Sequence, residues 1–215
     1  MNLTTIVGTC DSYLDLIPGF SILYERYFEP NIETLIVSET EDLDIPKYKF
    51  ITPGKKQWGE RIIQAISETK TEYVFFVLDD YYLSQLLTNE YIEYLLKFMD
   101  NRKVNKIMLS PVPDFAKYEY LESINTMHKM SPTSPWLTSV QPAIWRKSEL
   151  LKFLKPEYTP WNFEVKGSEL AKNNIENYFV AKLDKPIYFN MVRKGKQPSP
   201  GWEEFLKEQN LTKYI

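Results

Sequence analysis

The feature that most constrains the fold is a run of six apolar residues that ends in two aspartates. Tyr73–Leu78 reads Tyr-Val-Phe-Phe-Val-Leu with no polar alternation, and Asp79 and Asp80 follow it directly. A continuous β-prone run of this length is typical of a strand covered on both faces, as at the centre of a parallel sheet. Ligands of open α/β sheets collect beyond the carboxyl ends of the strands, so the sequence predicts a binding site at this pair.

Strand-like and helix-like stretches alternate around this run. Short β-branched runs predict strands, and apolar residues recurring at spacings of three and four predict helices. The predicted strands cover residues 3–8, 34–38, 48–51, 73–78 and 106–109, and the predicted helices cover 18–28, 58–70 and a segment capped by Thr88. This alternation predicts an α/β fold with a mostly parallel, doubly wound central sheet and helices on both faces.

The chain becomes irregular beyond residue 110. Seven prolines interrupt residues 111–160, namely Pro111, Pro113, Pro132, Pro135, Pro142, Pro156 and Pro160. Short regular pieces are expected near 143–145, 148–154, 168–173 and 186–192, with a final helix at 202–208. We predict a single domain over 1–215, with a regular half at 1–110 and an irregular half at 111–215.

The composition narrows the class of protein. Basic and acidic residues, 26 and 29, are mixed along the chain and give a net charge of −3, so we expect no nucleic-acid partner. Cys10 is the only cysteine, which excludes an intrachain disulfide and a cysteine metal cluster and suits a reducing cytoplasm. The first residues lack a basic leader, and no stretch reaches about 18 apolar residues. We expect a cytoplasmic protein with no transmembrane segment and no secretion signal.

The adjacent carboxylates Asp79 and Asp80 need a stabilising partner, because two neighbouring negative charges repel each other. A divalent cation carrying a diphosphate would supply positive charge, and oxygen ligands suit Mg²⁺ or Mn²⁺. The alternative is that the pair only caps the segment 81–87 that follows it.

Three further segments precede the aspartates in a fixed order. They are Thr9-Cys10-Asp11 after the first strand, Val37-Ser38-Glu39 after the second, and Gln57-Trp58-Gly59-Glu60-Arg61 at the start of a helix. Together with Asp79-Asp80 this order resembles the nucleotide-binding half of GT-A glycosyltransferases, in which the last segment corresponds to the Asp-x-Asp signature. The resemblance covers about residues 3–110 and implies a GT-A-like, Rossmann-like fold in which residues 1–110 bind a nucleotide-sugar and 111–215 bind the acceptor.

The resemblance also implies roles for individual residues. Asp79 and Asp80 would bind a divalent cation, Mn²⁺ or Mg²⁺. The residues implied to contact the nucleotide are Thr9, Asp11, Glu39, Trp58, Arg61 and Asp79. The chain departs from the family in having two adjacent aspartates instead of Asp-x-Asp, and this departure concerns the metal ligands and not the residues implied to contact the nucleotide. Arg61 has an alternative interpretation as a solvated residue beside the apolar stripe of its helix.

A second resemblance concerns the irregular half. The Gln-x-x-x-Trp run at 141–145 and the Pro-Trp-Asn-Phe-Glu run at 160–164 resemble the acceptor side of small bacterial transferases that build capsule and cell-wall polysaccharides. Inverting GT-A enzymes place a carboxylate base there to remove the proton of the attacking hydroxyl. Glu164 is the candidate, with Glu157 and Glu169 as nearby alternatives.

Aromatic and amide side chains in the same half are candidates for sugar contacts. They are Trp136, Gln141 and Trp161, each of which has a purely structural alternative. Gln141 is predicted to lie in a strand bounded by prolines.

Two polar features remain. The basic stretch after residue 192 corresponds to the region that covers the donor diphosphate in the GT-A pattern, so Arg193, Lys194 or Lys196 would neutralise it; the alternative is a solvated basic turn. His128, the only histidine, precedes the acceptor segment and is predicted to lie in a surface loop with no metal-binding role.

These observations predict a glycosyltransferase that moves a sugar, with inversion, from a nucleotide-sugar to a saccharide, lipid-linked or protein hydroxyl. Peripheral association with a membrane is compatible with such an acceptor. A nucleotidyltransferase is disfavoured because no glycine-rich phosphate loop follows the first strand. A non-catalytic binding protein with the same fold is the other alternative, because fold does not imply function.

Overall fold

The computed structural model of the chain describes residues 1–109, 120–124, 126–173, 177–181, 183, 185–194 and 196–214. Pro111 and Pro113 lie outside the described residues. The strands are β1 (Leu3–Gly8), β2 (Thr34–Val37), β3 (Lys49–Ile51), β4 (Tyr73–Leu78), β5 (Tyr81–Leu83), β6 (Lys106–Met108), β7 (Tyr120–Ile124), β8 (Met127–Met130), β9 (Ala143–Arg146), β10 (Tyr178–Ala181), β11 (Tyr188–Asn190), β12 (Val192–Arg193) and β13 (Gln197–Pro198).

The α-helices are α1 (Ile17–Tyr27), α2 (Trp58–Glu68), α3 (Asn89–Arg102), α4 (Lys147–Phe153), α5 (Pro160–Asn162), α6 (Ser168–Ala171) and α7 (Trp202–Glu208). A π-helix, Phe163–Gly167, joins α5 to α6, and 3₁₀-helices lie at Asp11–Leu16 and Thr212–Tyr214. Thr88 caps α3 as predicted, because its side chain accepts a hydrogen bond from the amide of Tyr91.

Nine of the described strands form one sheet in the order β3-β2-β1-β4-β9-β6-β10-β8-β7. Seven run in the same direction, whereas β8 and β9 run against them. The predicted mostly parallel central sheet is therefore confirmed. Two smaller sheets pair β5 with β11 and β12 with β13.

Helices cover both faces of this sheet. Neighbouring residues of a strand point to opposite faces. In β4, Phe75 stacks on Phe28 directly after α1, with ring centroids 5.3 Å apart, whereas Phe76 meets Trp58 of α2 at 6.0 Å. Because β4 is buried on both sides, its sequence shows a continuous apolar run in place of alternation.

The irregular half does not form a separate layer. Its strand β9 lies between β4 and β6 and pairs antiparallel with both. The helix α2 also contacts this half directly: the amide of Gly59 donates to Tyr158 O, 2.8 Å away, and a Cβ on Gly59 would lie 2.1 Å from Lys155 O. Glycine is required here because any side chain would overlap that carbonyl.

Several sequence-based predictions of local structure are wrong. Asp79 and Asp80 cap no helix, because the chain turns there into β5. His128 lies in β8 and not in a loop, with Nδ1 2.7 Å from Ser123 Oγ. Gln141 lies in a bend before β9 and not in a strand.

Among the described residues, no helix combines the length and the apolar character that crossing a lipid bilayer requires.

Candidate active site

The sheet side of the site is formed where β1 and β4 end. These strands pair in parallel through all six residues of each, so Thr9 and Asp79 emerge side by side. Thr9 Oγ1 donates to Asp79 Oδ2 at 2.5 Å, and the amide of Asp79 lies 3.3 Å from Gly8 O. The strand register thus places the first carboxylate without help from any loop.

Asp79 is buried and Asp80 is half-buried. Burial raises the pKa of Asp79 well above its usual range, and the Asp80 charge adds to the rise, which the Thr9 hydrogen bond opposes. Burial raises the pKa of Asp80 to about 7, with a further contribution from Glu164. Asp80 Oδ1 is buried and has no hydrogen-bond partner among the described residues. A cationic ligand would stabilise this arrangement.

Arg61 approaches the same strand ends from α2 and is 4% exposed, so the solvated alternative is wrong. Its Nη1 donates to Thr9 O at 2.8 Å, and its Nη2 lies 3.8 Å from Glu39 Oε1. Arg61 Nε is buried without a partner in the described part of the chain.

Asp11 holds a neighbouring loop in place. Its carboxylate accepts hydrogen bonds from the amides of Glu39, Thr40 and Glu41 and from Thr40 Oγ1. Burial raises the pKa of Asp11, but these hydrogen bonds outweigh it and lower the pKa to about 2. Glu39 Oε2 in turn lies 3.3 Å from the Asp11 amide. Neither side chain lines the cavity described next, so the structure places both beside it.

A cavity of about 620 Å³ lies over the strand ends. Its lining includes many of the predicted site residues, namely Thr9, Trp58, Arg61, Asp79, Asp80, Trp161, Glu164, Arg193 and Lys194. One open site therefore joins the sheet edge to the irregular half. Pockets of this size are common at the switch points of α/β sheets.

Glu164 faces the cavity from the π-helix Phe163–Gly167. Its Oε1 accepts from the amide of Val140 at 3.1 Å and from Ser139 Oγ at 3.3 Å. Burial raises the pKa of Glu164, although these two hydrogen bonds and the charge of Lys106 oppose the rise. Short π-helical turns are frequent at functional sites. The alternatives Glu157 and Glu169 are exposed and do not line the cavity.

Of the three residues predicted to contact sugar, only Trp161 lines the cavity. Trp161 lines the cavity and is 63% exposed, and Trp136 packs against it with ring centroids 5.8 Å apart. Gln141 does not line the cavity, but its Oε1 is buried without a partner among the described residues.

Of the three basic residues predicted to neutralise the diphosphate, two line the cavity and one does not. Arg193 and Lys194 are exposed and line the cavity. Lys196 lies elsewhere, because its Nζ pairs with Asp15 at 2.6 Å and donates to Ser12 O at 2.7 Å.

Tyr13 and Asn190 are among the cavity residues that are absent from the sequence-based prediction. Tyr13 lies in the 3₁₀-helix after β1, and Asn190 ends β11. The pairing of Asn190 with Tyr81 brings this strand beside Asp80, and the amide of Met191 donates to Asp80 O at 2.8 Å. Of the two, Tyr13 alone has a sequence signal, its closeness to Thr9.

The carboxylates of the site fit a metal ion only if a bound substrate supplies further ligands. Among the described residues, no group of three or more His, Cys, Asp or Glu side chains could hold an ion. The two carboxylates and the unpartnered Asp80 Oδ1 fit the way in which Mg²⁺ binds one or two carboxylates together with substrate phosphates.

Comparison with known proteins supports the fold but not an activity. No protein-family profile and no curated protein matches the sequence. S. aureus TarS 1-349 in complex with UDP-GlcNAc superimposes with a TM-score of 0.64 at 17% identity, over 99% of this chain and 65% of that one. The complex with UDP gives a TM-score of 0.61 at 17% identity, over 99% and 64%. The chain thus spans slightly less than two thirds of the TarS 1-349 chain.

A second kind of enzyme shares the architecture. The 2-C-methyl-D-erythritol 4-phosphate cytidylyltransferase from Thermus thermophilus superimposes with a TM-score of 0.51 at 9% identity, over 89% of this chain and 92% of that one. At these identities the likeness concerns the fold alone. The predicted GT-A-like fold is confirmed.

Proposed function

We propose that this protein is a glycosyltransferase that moves a sugar from a nucleotide-sugar to a hydroxyl group of a saccharide or lipid-linked acceptor, with inversion. The observation that carries the proposal is a single cavity with two kinds of carboxylate on its walls. Asp79 and Asp80 lie at the sheet edge, and Glu164 lies on the π-helix of the irregular half. The TarS complexes with UDP-GlcNAc and UDP support the choice of a nucleotide-sugar as donor.

In the proposed reaction the acceptor oxygen bonds to the anomeric carbon while the bond from that carbon to the diphosphate breaks. The hydroxyl proton passes to Glu164, and the electron pair leaves with the nucleoside diphosphate. Arg193 and Lys194 would neutralise the developing charge on the leaving group, and Trp161 would stack on the acceptor sugar. Alignment and charge stabilisation would supply most of the rate enhancement.

A divalent cation held by Asp79 and Asp80 would add positive charge at the diphosphate. We propose Thr9, Trp58 and Arg61 as the wall against which the nucleotide lies, since all three line the same cavity. We also propose a cytoplasmic location, which the single cysteine suits.

A nucleotidyltransferase is the second candidate, because the cytidylyltransferase fold matches over most of both chains. Its attacking group would be a phosphate oxygen, which is already ionised at neutral pH and needs no general base, whereas a hydroxyl does. The presence of Glu164 and Trp161 in the same cavity therefore favours a sugar hydroxyl as the attacking group. A binding protein without turnover is the third candidate.

A thermal-shift screen followed by product analysis separates the three. UDP-, GDP-, CDP- and dTDP-sugars are tested with Mg²⁺ or Mn²⁺, and we expect one base to raise the melting temperature by roughly 5–11 °C at a hundredfold excess over Kd. Release of nucleoside diphosphate with glycosylated acceptor supports the proposal. Pyrophosphate release from a nucleoside triphosphate and a sugar phosphate would establish the second candidate, and binding without either product the third.

The metal role has its own variant. Asp80→Ala should remove the part of donor binding that depends on the cation, as measured by calorimetry with and without Mn²⁺. Asp44→Ala, an exposed aspartate that does not line the cavity, is the matched control. Equal affinities for Asp80→Ala and the control would contradict the metal role.

A further inference from the structure

Lys106 is a charged residue in the middle of the sheet. It begins β6, between β9 and β10, and its side chain is 0% exposed. Its Nζ donates to Leu137 O at 2.7 Å and lies 4.6 Å from the ring centroid of Trp145 and 5.8 Å from that of Tyr178. Burial of an ammonium group costs free energy unless a specific interaction compensates for it. The hydrogen bond to Leu137 O is such an interaction.

The carbonyl of Leu137 belongs to a peptide that is held at both ends. Lys106 binds its oxygen, and its N–H, that of Thr138, donates to Ser168 Oγ at 3.0 Å. Ser168 Oγ also donates to Thr138 O, 3.1 Å away. Thr138 Oγ1 donates to Phe163 O at 2.6 Å as well. Lys106 therefore fixes, together with these contacts of Thr138, the start of a segment that has no strand or helix hydrogen bonds.

The next residues of this segment supply the hydrogen-bond donors to Glu164. Ser139 Oγ and the amide of Val140 both donate to Glu164 Oε1. The π-helix lies very close to the segment, since a Cβ on Gly167 would lie 2.5 Å from Thr138 Oγ1. A shift of the Leu137 peptide would thus displace both hydrogen-bond donors of the carboxylate.

We propose that Lys106 is a positioning residue that holds the 137–140 segment and, through it, the carboxylate of Glu164. The proposal rests on the proposed function, in which Glu164 takes the proton of the acceptor. Lys106 does not line the cavity and touches no substrate. Its hydrogen bond survives loss of charge, because a neutral amine still donates to a carbonyl.

The charges around Lys106 agree with this role. Burial lowers the pKa of Lys106 to about 7, and the negative charge of Glu164 opposes that fall. The groups that face it are Leu137 O, the ring of Trp145 from β9, the ring of Tyr178 from β10, and Glu164 from the π-helix. Tyr178 OH is itself bonded to Glu149 of α4 at 3.0 Å. Lys106 also favours the ionised form of Glu164, because its charge lowers the pKa of that carboxyl.

The test is hydrogen exchange of the Val140 amide in Lys106→Met, which fills the same space without a donor. We expect this amide to exchange about tenfold faster or more than in the unmodified protein, whereas the Val77 amide in β4 keeps its protection. Tyr178→Phe is the matched control, because it keeps the ring beside Lys106 and removes only the bond to Glu149. Lys106→Leu, which also lacks a hydrogen-bond donor, is measured in parallel and takes the place of Lys106→Met if the methionine variant does not fold.

The kinetic expectation for the same variants is a kcat lower by roughly 10- to 100-fold with the donor KM within about twofold. Unchanged Val140 exchange, or exchange that rises only in step with Val77, would overturn the inference. Hydrogen exchange is measured without a nucleotide-sugar, so the positioning role of Lys106 and the proposed function can fail independently. If Val140 responds but no donor is turned over, the proposed function fails and the positioning role stands; if sugar is transferred and Val140 does not respond, the positioning role fails.

Discussion

The two walls of the cavity are held by different means. On the sheet wall, Thr9 and Asp79 follow β1 and β4, and the parallel pairing of those strands over six residues fixes their places. On the opposite wall, Glu164 is held by one hydroxyl and one amide of a segment without regular structure. Many backbone hydrogen bonds fix the residues of the first wall, whereas only two hydrogen bonds, one from a side chain and one from the backbone, hold Glu164 on the second. We expect the second wall to be the more sensitive to single substitutions.

The largest expected effect is that of Glu164→Gln on the second wall. Loss of a general base lowers turnover by about 10²- to 10⁴-fold, while donor binding is kept because the amide has the same shape. Single-turnover transfer assays and donor calorimetry measure the two effects. Glu169→Gln, an exposed carboxylate nearby, is the control. Full activity of Glu164→Gln would place the base elsewhere.

Gly59→Ala tests whether the two walls are independent. The added Cβ would overlap Lys155 O, so we expect a loss of about 1–3 kcal/mol in the free energy of unfolding, measured with urea. The chain from Lys155 leads into α5, which carries Trp161, and then into the π-helix, which carries Glu164, so turnover should fall as well. Ser67→Ala, at an exposed site on the same helix, should leave both quantities unchanged. An equally stable Gly59→Ala protein would show that the close contact is not formed.

Trp161→Ala concerns the acceptor alone. Because this side chain is largely exposed, its loss should not alter stability, whereas the KM for acceptor should rise roughly 2- to 12-fold with loss of stacking. Val165→Ala, one helical turn further and also exposed, serves as the comparison. Identical acceptor KM values for both variants would remove Trp161 from the acceptor site.

The smallest effect is expected beside the sheet wall, from Asp11→Ala. Loss of its hydrogen bonds to the loop 39–41 should cost on the order of 1 kcal/mol at neutral pH, because the site is partly exposed. The pKa of Asp11 is about 2 in the folded protein and 3.8 without these contacts, so its contribution is complete above about pH 4 and is lost as the pH falls through 2. Urea unfolding of both proteins between pH 2 and 7 should show the difference shrink on the acid side, with Asp42→Ala as control. A difference independent of pH would contradict this role of the carboxylate.

The contrast between regular strands and irregular segments also explains which parts of the fold can be predicted from the amino-acid sequence. Apart from β5 and the 3₁₀-helix Asp11–Leu16, which are not predicted, the strands and helices of residues 1–109 are predicted to within a few residues, because buried strands and amphipathic helices leave periodic patterns. The Asp79-Asp80 site follows from one of those patterns. The loop predicted for His128 is wrong because the hairpin of β7 and β8 carries polar residues on strands without clear alternation.

Other features depend on contacts between distant residues, which no local pattern records. Arg61 is buried because it donates to Thr9 O, 52 residues away along the chain. Sequence adjacency would place β6 beside β4, but β9, which follows both in the chain, lies between them. The sequence indicates Lys106 only as the polar start of a strand, since the carbonyl that it binds lies in an irregular segment.

The place of β9 has a consequence for the order in which the protein can assemble during synthesis. The sheet neighbours of β6 are β9 and β10, and both are translated after it. While the ribosome makes the residues up to 142, β1 to β4 can form a sheet, but β4 has an open edge and β6 has no place to dock. Such an edge is prone to pairing with other chains. Emergence of residues 143–146 closes this edge of β4, and the same strand ties the irregular half, which carries Glu164, to the sheet of residues 1–109.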